Sequence, residues 1–128
     1  MDLLVDTHTL IWMSSQTNRL SSKANSLLED ANNTVYASIL SSWELGIKIS
    51  LGKLDLGKNW MQKLQGFMRA NAISSLPLRP EHCTVLAVLP FHHRDPFDRM
   101  LIAQAQTENL ILISKDRRLR DYEIEVIW

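Results

Sequence analysis

What this chain lacks narrows its range first. It has one cysteine, Cys83, in 128 residues, so no internal disulfide can staple it, and a reducing, cytoplasmic setting is the expectation. It has no uninterrupted apolar run of roughly 18 residues, the length a membrane-spanning helix needs, so no membrane association is expected. The opening MDLLVD has an early acid and no basic stretch ahead of its apolar residues. That suits a buried strand and not a signal peptide. It has no excess of either charge: 14 Lys and Arg balance 14 Asp and Glu. A bulk electrostatic attraction to nucleic acid is therefore excluded. Binding of that kind must come from local patches, and two are available, His92 to Arg99 (HHRDPFDR) and Lys115 to Asp121 (KDRRLRD). With four glycines, four prolines and no repeat, the sequence offers no linker either.

What is present reads as one globular domain over residues 1–128. Hydrophobic residues make up 45% and charged residues 22%, enough apolar material for an unstapled core. Strand and helix signals alternate, which argues for a parallel sheet covered on both faces. Leu3 to Asp6 is an apolar strand ending in an acid, followed by a helix from Thr7 to about Ser14. Ser21 or Ser22 starts a helix carrying Ala24, Leu27, Leu28 and Ala31 on one face. Thr34 to Ser38 (TVYAS) is β-rich. Ser38 can cap the next helix, with Leu40, Trp43, Ile47, Leu51 and Leu54 as its apolar stripe and Gly52 weakening its end. Trp60, Leu64, Phe67 and Met68 mark another amphipathic helix.

Ile73 to Leu78 is a poorer strand. Arg79-Pro80 opens a helix with proline at its first position, running to about Leu89. Cys83 lies in its apolar stretch HCTVLAVL and is expected in the core. Asp95-Pro96-Phe97-Asp98 opens the clearest helix, to about Glu108, with Asp95 as N-cap. Leu110 to Ser114 is a buried strand, and Tyr122 to Trp128 contains an edge strand. Five strands and about six helices in this order make a doubly wound α/β/α sandwich with a mainly parallel sheet.

In such sheets ligands gather at the carboxyl ends of the strands. Four segments deliver an acid there. Asp6 ends the first strand, Glu44 lies early in the helix after the second, Asp98 opens the helix before the fourth, and Asp116 follows the fourth. Carboxylates that converge in a partly desolvated cleft repel one another and need protons or cations to coexist. Hard divalent ions suit oxygen ligands, and one or two can activate water at a phosphodiester. Each acid also has a local alternative. Glu44 can pair with Lys48 one helical turn on, Asp95 can serve as a helix cap, Asp98 can be the reciprocal partner in a capping box, and Asp116 can cap the turn to Arg118. Asp6 is hardest to explain locally, because a carboxylate ending an apolar strand is costly without a partner. His8, His82, His92 and His93 lack zinc-ligand spacing, although His8 could reach the cleft mouth and touch a substrate. A haloacid dehalogenase-type phosphatase is disfavoured, since that chemistry wants an acid where His8 stands. A non-catalytic binding module has no need of four acids.

The stretches LLVDTHTLIW, SSWELGIKISLGKLDL, LPFHHRDPFDRMLIAQAQ and ILISKDRRLRDYEIEVIW resemble the PIN-domain family. Within it they resemble the VapC-type ribonuclease toxins of bacterial toxin–antitoxin systems. They come in the family's order and span nearly the whole chain. The resemblance implies that Asp6, Glu44, Asp98 and Asp116 bind Mg²⁺ or Mn²⁺. It makes Asp95 a second acid common in the subgroup and lets Ser114 orient the last acid or a water. A metal-activated water then attacks RNA, leaving a 5′-phosphate and a 3′-hydroxyl. The resemblance also implies a homodimer and a cognate antitoxin that wraps the toxin. Trp12, Trp43, Leu51 and Leu54 are candidates for its groove, with the core as their alternative. An RNA-processing nuclease outside any toxin–antitoxin pair has the same residues. Gly46 departs from the pattern, standing where a better helix former is expected, at a cost of roughly 1 kcal/mol.

Overall fold

The computed structural model describes residues 1–128. Five strands form one sheet: β1 (Asp2–Val5), β2 (Thr34–Ser38), β3 (Ile73–Leu76), β4 (Ile111–Ile113) and β5 (Val126–Ile127). Their order is β3-β2-β1-β4-β5, and every pairing is parallel. β1 is central because it can be: Leu3, Leu4 and Val5 are wholly buried, and only a run apolar on both faces suits that place. Successive side chains divide the core. Leu3 and Val5 pack with Val35, Ala37, Ile73, Ile113 and Ile127 on one face. Leu4 packs with Leu76, Leu112 and Leu110 on the other.

Four helices contribute to the first face: α1 (Thr7–Ser15), α2 (Ser22–Glu29), α3 (Ile39–Ser50) and α4 (Trp60–Ala70), through Leu10, Ala24, Leu45 and Leu64. α6 (Pro96–Glu108) covers the second with Leu101, Ile102 and Ala105, and α5 (Pro80–Val88) packs beside it through Leu86. Short 3₁₀ turns occupy Thr17–Arg19 and Arg117–Asp121.

The chain runs from β1 outward to β2 and β3, then crosses back to place β4 on the other side of β1. The carboxyl ends of β1 and β4 thus flank the switch point where such folds bind ligands. Helices α1 and α3 start there too, each capped by the last residue of the preceding segment. Asp6 Oδ1 accepts the Thr9 N–H at 2.8 Å and Ser38 Oγ accepts the Leu40 N–H at 3.1 Å.

Three expectations need correction. The buried side of α3 is Leu40, Ser41 and Leu45, while Trp43 and Leu51 are 61% exposed and the helix ends at Ser50. Gly52, at φ +69°, turns the chain away, so Leu54 lies outside the helix and packs loosely against the first core. Cys83 is exposed, because α5 turns His82, not Cys83, inward. Trp12 is buried, its ring 5.6 Å from that of Trp128, with the Arg19 guanidinium 4.7 Å from its centre. No helix is long and apolar enough to cross a membrane.

Candidate active site

Asp6 follows β1 and is only 7% exposed. One oxygen caps α1, and the other, Oδ2, accepts the Ser114 hydroxyl at 2.5 Å. Ser114 follows β4, and its oxygen also accepts the Asp116 N–H at 3.1 Å. A single hydroxyl thereby ties the end of β1 to the turn after β4, holding the first acid's carboxylate and the last acid's backbone N–H rather than the last acid's carboxylate.

Glu44 lies on the inward side of α3, one turn after Leu40 and Ser41. Its Oε1 accepts from Thr7 Oγ1 at 2.7 Å, and its Oε2 pairs with Lys48 at 2.9 Å. The Thr7 hydroxyl also lies 3.0 Å from Ser41 Oγ. The i,i+4 pair with Lys48 read from the sequence forms, and it does so while Glu44 faces the cleft.

Asp95 caps α6: its Oδ1 accepts the N–H groups of Phe97 at 2.9 Å and Asp98 at 3.0 Å. The reciprocal capping box is absent, because the Asp95 N–H goes to His93 Nδ1 at 3.0 Å. The Asp98 carboxylate is thereby released from a capping role. Burial first, then the charges of Asp95, Asp6, Glu44 and Asp116, push its pKa up to about 7. This is the behaviour of a carboxyl group in a desolvated nest of like charges. Asp116 behaves oppositely. Arg118 donates to both its oxygens, with Nε 3.0 Å from Oδ1 and Nη2 2.7 Å from Oδ2, and its backbone N–H is capped by Oδ1 at 3.0 Å. These contacts hold the Asp116 carboxyl down to about 2. They are largely solvent-exposed, Arg118 being 69% accessible, and so add little to stability.

Five carboxylates from four segments are therefore close enough to act on one another, and the chain supplies cations only at the margin. Lys48 serves Glu44 and Arg118 serves Asp116, whereas neither Asp6 nor Asp95 has an ion-pair partner. An oxygen-rich set with unbalanced negative charge fits a hard divalent cation. The helix starts at Asp6 and Asp95 face the same carboxylates, and their dipoles favour negative charge there.

Two polar residues at this rim were not assigned to the site from the sequence. Thr7 orients Glu44, and it could have been found from its place beside Asp6 at the strand end. His93 is 9% exposed, and one of its ring atoms lies within 4.8 Å of carboxylate oxygens of Asp98 and Asp116. No spacing rule marks it, because its neighbours come from α6 and the segment after β4. His8, expected near the cleft mouth, stands exposed on α1 with its ring 5.7 Å from that of Trp12. It has no hydrogen bond or ion pair with the acids. His82 is wholly buried and binds Glu108 through Nε2 at 2.9 Å, joining α5 to α6 away from this rim.

Comparison with known proteins places the fold in a family. A model of the PIN domain matches residues 3–125. A relative in Mycobacterium tuberculosis (strain ATCC 25618 / H37Rv), named ribonuclease VapC22, is 30% identical over 125 residues, covering 94% of this chain and 91% of its own. Among solved structures, VapBC2 from Rickettsia felis, bound to a promoter DNA fragment, superposes with a TM-score of 0.74 at 17% identity. That match covers 99% of this chain and 98% of that one. FitAcB from Neisseria gonorrhoeae does so with a TM-score of 0.63 at 20% identity, covering 98% and 96%. The family match over residues 3–125 and the 30%-identical relative lead to one conclusion: this chain belongs to the PIN-domain family, as a VapC-type member.

Proposed function

We propose that this protein is a divalent-metal-dependent endoribonuclease acting in the cytoplasm as the toxin of a toxin–antitoxin pair. The observation that carries the proposal is the convergence of Asp6, Glu44, Asp98 and Asp116 on one rim, with Asp98 raised to about 7 by burial and then by its acidic neighbours. The relative's name, ribonuclease VapC22, and the fold shared with the VapBC2 complex support the same reading.

In this reading Asp6, Glu44, Asp98 and Asp116 hold Mg²⁺ or Mn²⁺. The ion supplies an activated water and offsets charge at a phosphodiester. The chain does the rest. Ser114 and Thr7 fix the carboxylates of Asp6 and Glu44. Asp95 anchors the first turn of α6, so that Asp98 faces the cleft. Arg94 and Arg117, exposed beside the rim, supply the local positive charge for an RNA backbone that the net charge does not provide. Structured RNA, tRNA included, is the proposed substrate class. A homodimer is the proposed state of the free toxin, and the exposed Trp43 and Leu51 are proposed to meet the antitoxin.

The test is cleavage of total RNA by the purified chain. Mg²⁺ or Mn²⁺ supports cleavage, chelator stops it and Mn²⁺ restores it. Asp6→Ala and Asp98→Asn each lower the rate by at least about 100-fold, the scale expected when a metal ligand or its orientation is lost, while far-ultraviolet dichroism stays as in the parent. Undiminished cleavage by the double variant overturns the assignment.

A further inference from the structure

His93 is a buried imidazole beside the acids whose part in the site is still unassigned. The residue is held from several sides. The backbone N–H of His93 donates to Tyr122 Oη at 2.8 Å, and the ring Nδ1 accepts the Asp95 N–H at 3.0 Å. Arg99 fixes the segment behind it, donating to the carbonyls of Leu89 at 3.1 Å and Pro90 at 2.8 Å and reaching that of His93 at 3.5 Å. The other ring nitrogen, Nε2, lies 3.1 Å from Asp98 Oδ2 and 3.5 Å from Asp116 Oδ2. Neither approach is aligned as a hydrogen bond, and Nε2 is a buried polar atom without a hydrogen-bond partner.

Distance alone makes His93, Asp98 and Asp116 a candidate set of three ligands. The hydrogen bond at Nδ1 argues otherwise. A histidine that ligates through Nε2 needs its lone pair there and its proton on Nδ1, where it normally donates to a carbonyl or carboxylate. Here Nδ1 accepts a backbone N–H, so its lone pair is engaged and the ring proton is on Nε2. That atom can only donate.

We infer that His93 is a positioning residue and not a metal ligand. Its Nε2–H spans Asp98 and Asp116 and sets the angle at which their carboxylates face an ion held by oxygen alone. The inference rests on the proposed metal-dependent function. It adds that the ion's donor set excludes nitrogen, and that the loop joining α5 to α6 tunes metal affinity through one ring.

Two measurements on the full chain test it. In ¹⁵N-labelled parent protein, long-range proton–nitrogen spectra of the imidazoles, assigned with His93→Gln, read the tautomer directly. The expected result is protonation of His93 at Nε2 and not Nδ1, both without metal and at saturating Mg²⁺. A ring protonated at Nδ1, in either condition, overturns the inference. Mg²⁺ titration by calorimetry is the second. His93→Ala weakens Mg²⁺ binding by roughly 10–100-fold, as loss of a neighbouring side chain that orients a ligand does. His93→Gln, which keeps an amide N–H, recovers much of that loss. Unchanged Mg²⁺ affinity in His93→Ala contradicts it, and so does a glutamine variant as impaired as the alanine. A parent chain that binds no Mg²⁺ defeats the proposed function instead, and the metal-free tautomer still decides whether Nε2 is the donor.

Discussion

Asp98 carries the strongest electrostatic tension in the molecule. Its folded pKa of about 7 stands above the ordinary carboxylate value of 3.8, so the folded state binds a proton more tightly than the unfolded state. Stability from this group is complete below about pH 4 and is lost as pH rises through about 7. In metal-free protein, Asp98→Asn therefore raises the melting temperature by roughly a few degrees near pH 8 and by almost nothing near pH 4. Added Mg²⁺ reverses the order, because the parent gains a bound ion and the variant does not. Thermal melts of both proteins across pH, with and without Mg²⁺, check this. Asp116 has the opposite sign: its contribution is present above about pH 4 and is lost as pH falls through about 2. At this scale the local readings of the sequence and the site readings turn out to be compatible. Asp95 is a cap, Glu44 pairs with Lys48 and Asp116 caps the turn to Arg118, and all three still lie beside Asp98. His93 was illegible because its significance depends on Asp116, which the sheet order brings to it from beyond β4.

Elements were legible where pattern and punctuation agreed. α6 has an Asp cap, a Pro at its first position and an apolar centre in Leu101, Ile102, Ala103 and Ala105, and its bounds match those read from the sequence. β2 does likewise. α3 shows the limit, since its residues offer two apolar stripes, and the choice of Leu40 and Leu45 over Trp43 and Leu51 was made by packing against the sheet. The expected weakness at Gly46 has a direct test. A Cβ built there meets nothing within 4 Å, so Gly46→Ala stabilises the protein by about 0.5–1 kcal/mol in urea denaturation and leaves Mg²⁺ affinity unchanged. Arg99 on α6 tests the opposite case. It is buried without a carboxylate, its charge spread over the carbonyls of Leu89, Pro90 and His93 and stacked 3.8 Å from the centre of the Phe91 ring. Lysine lacks the planar fork that reaches these acceptors. Arg99→Lys costs roughly 1–3 kcal/mol, and faster amide exchange appears first in residues 89–95.

For the whole molecule, the decisive feature is the crossing from β3 back past β1 to β4. It puts the carboxyl ends of β1 and β4 side by side and so joins Asp6 to Ser114 across 108 positions of sequence. Alternating strand and helix signals made the parallel sheet legible, but no single-sequence periodicity states which strands are neighbours. The order β3-β2-β1-β4-β5 is set by how the helices pack on the two faces, and it emerges only in three dimensions. The surface was less legible: Trp12 and Trp43 look alike in the sequence, yet Trp128 covers one and leaves the other open. One rim gathering carboxylates around a cation is open to crystallography, with crystals of the parent protein soaked in Mn²⁺ and measured at the manganese edge. The expected result is an anomalous peak bonded to oxygens of Asp98 and at least two of Asp6, Glu44 and Asp116, with no nitrogen of His93 in the coordination shell. No peak at that rim, in crystals where Mn²⁺ has free access, contradicts it.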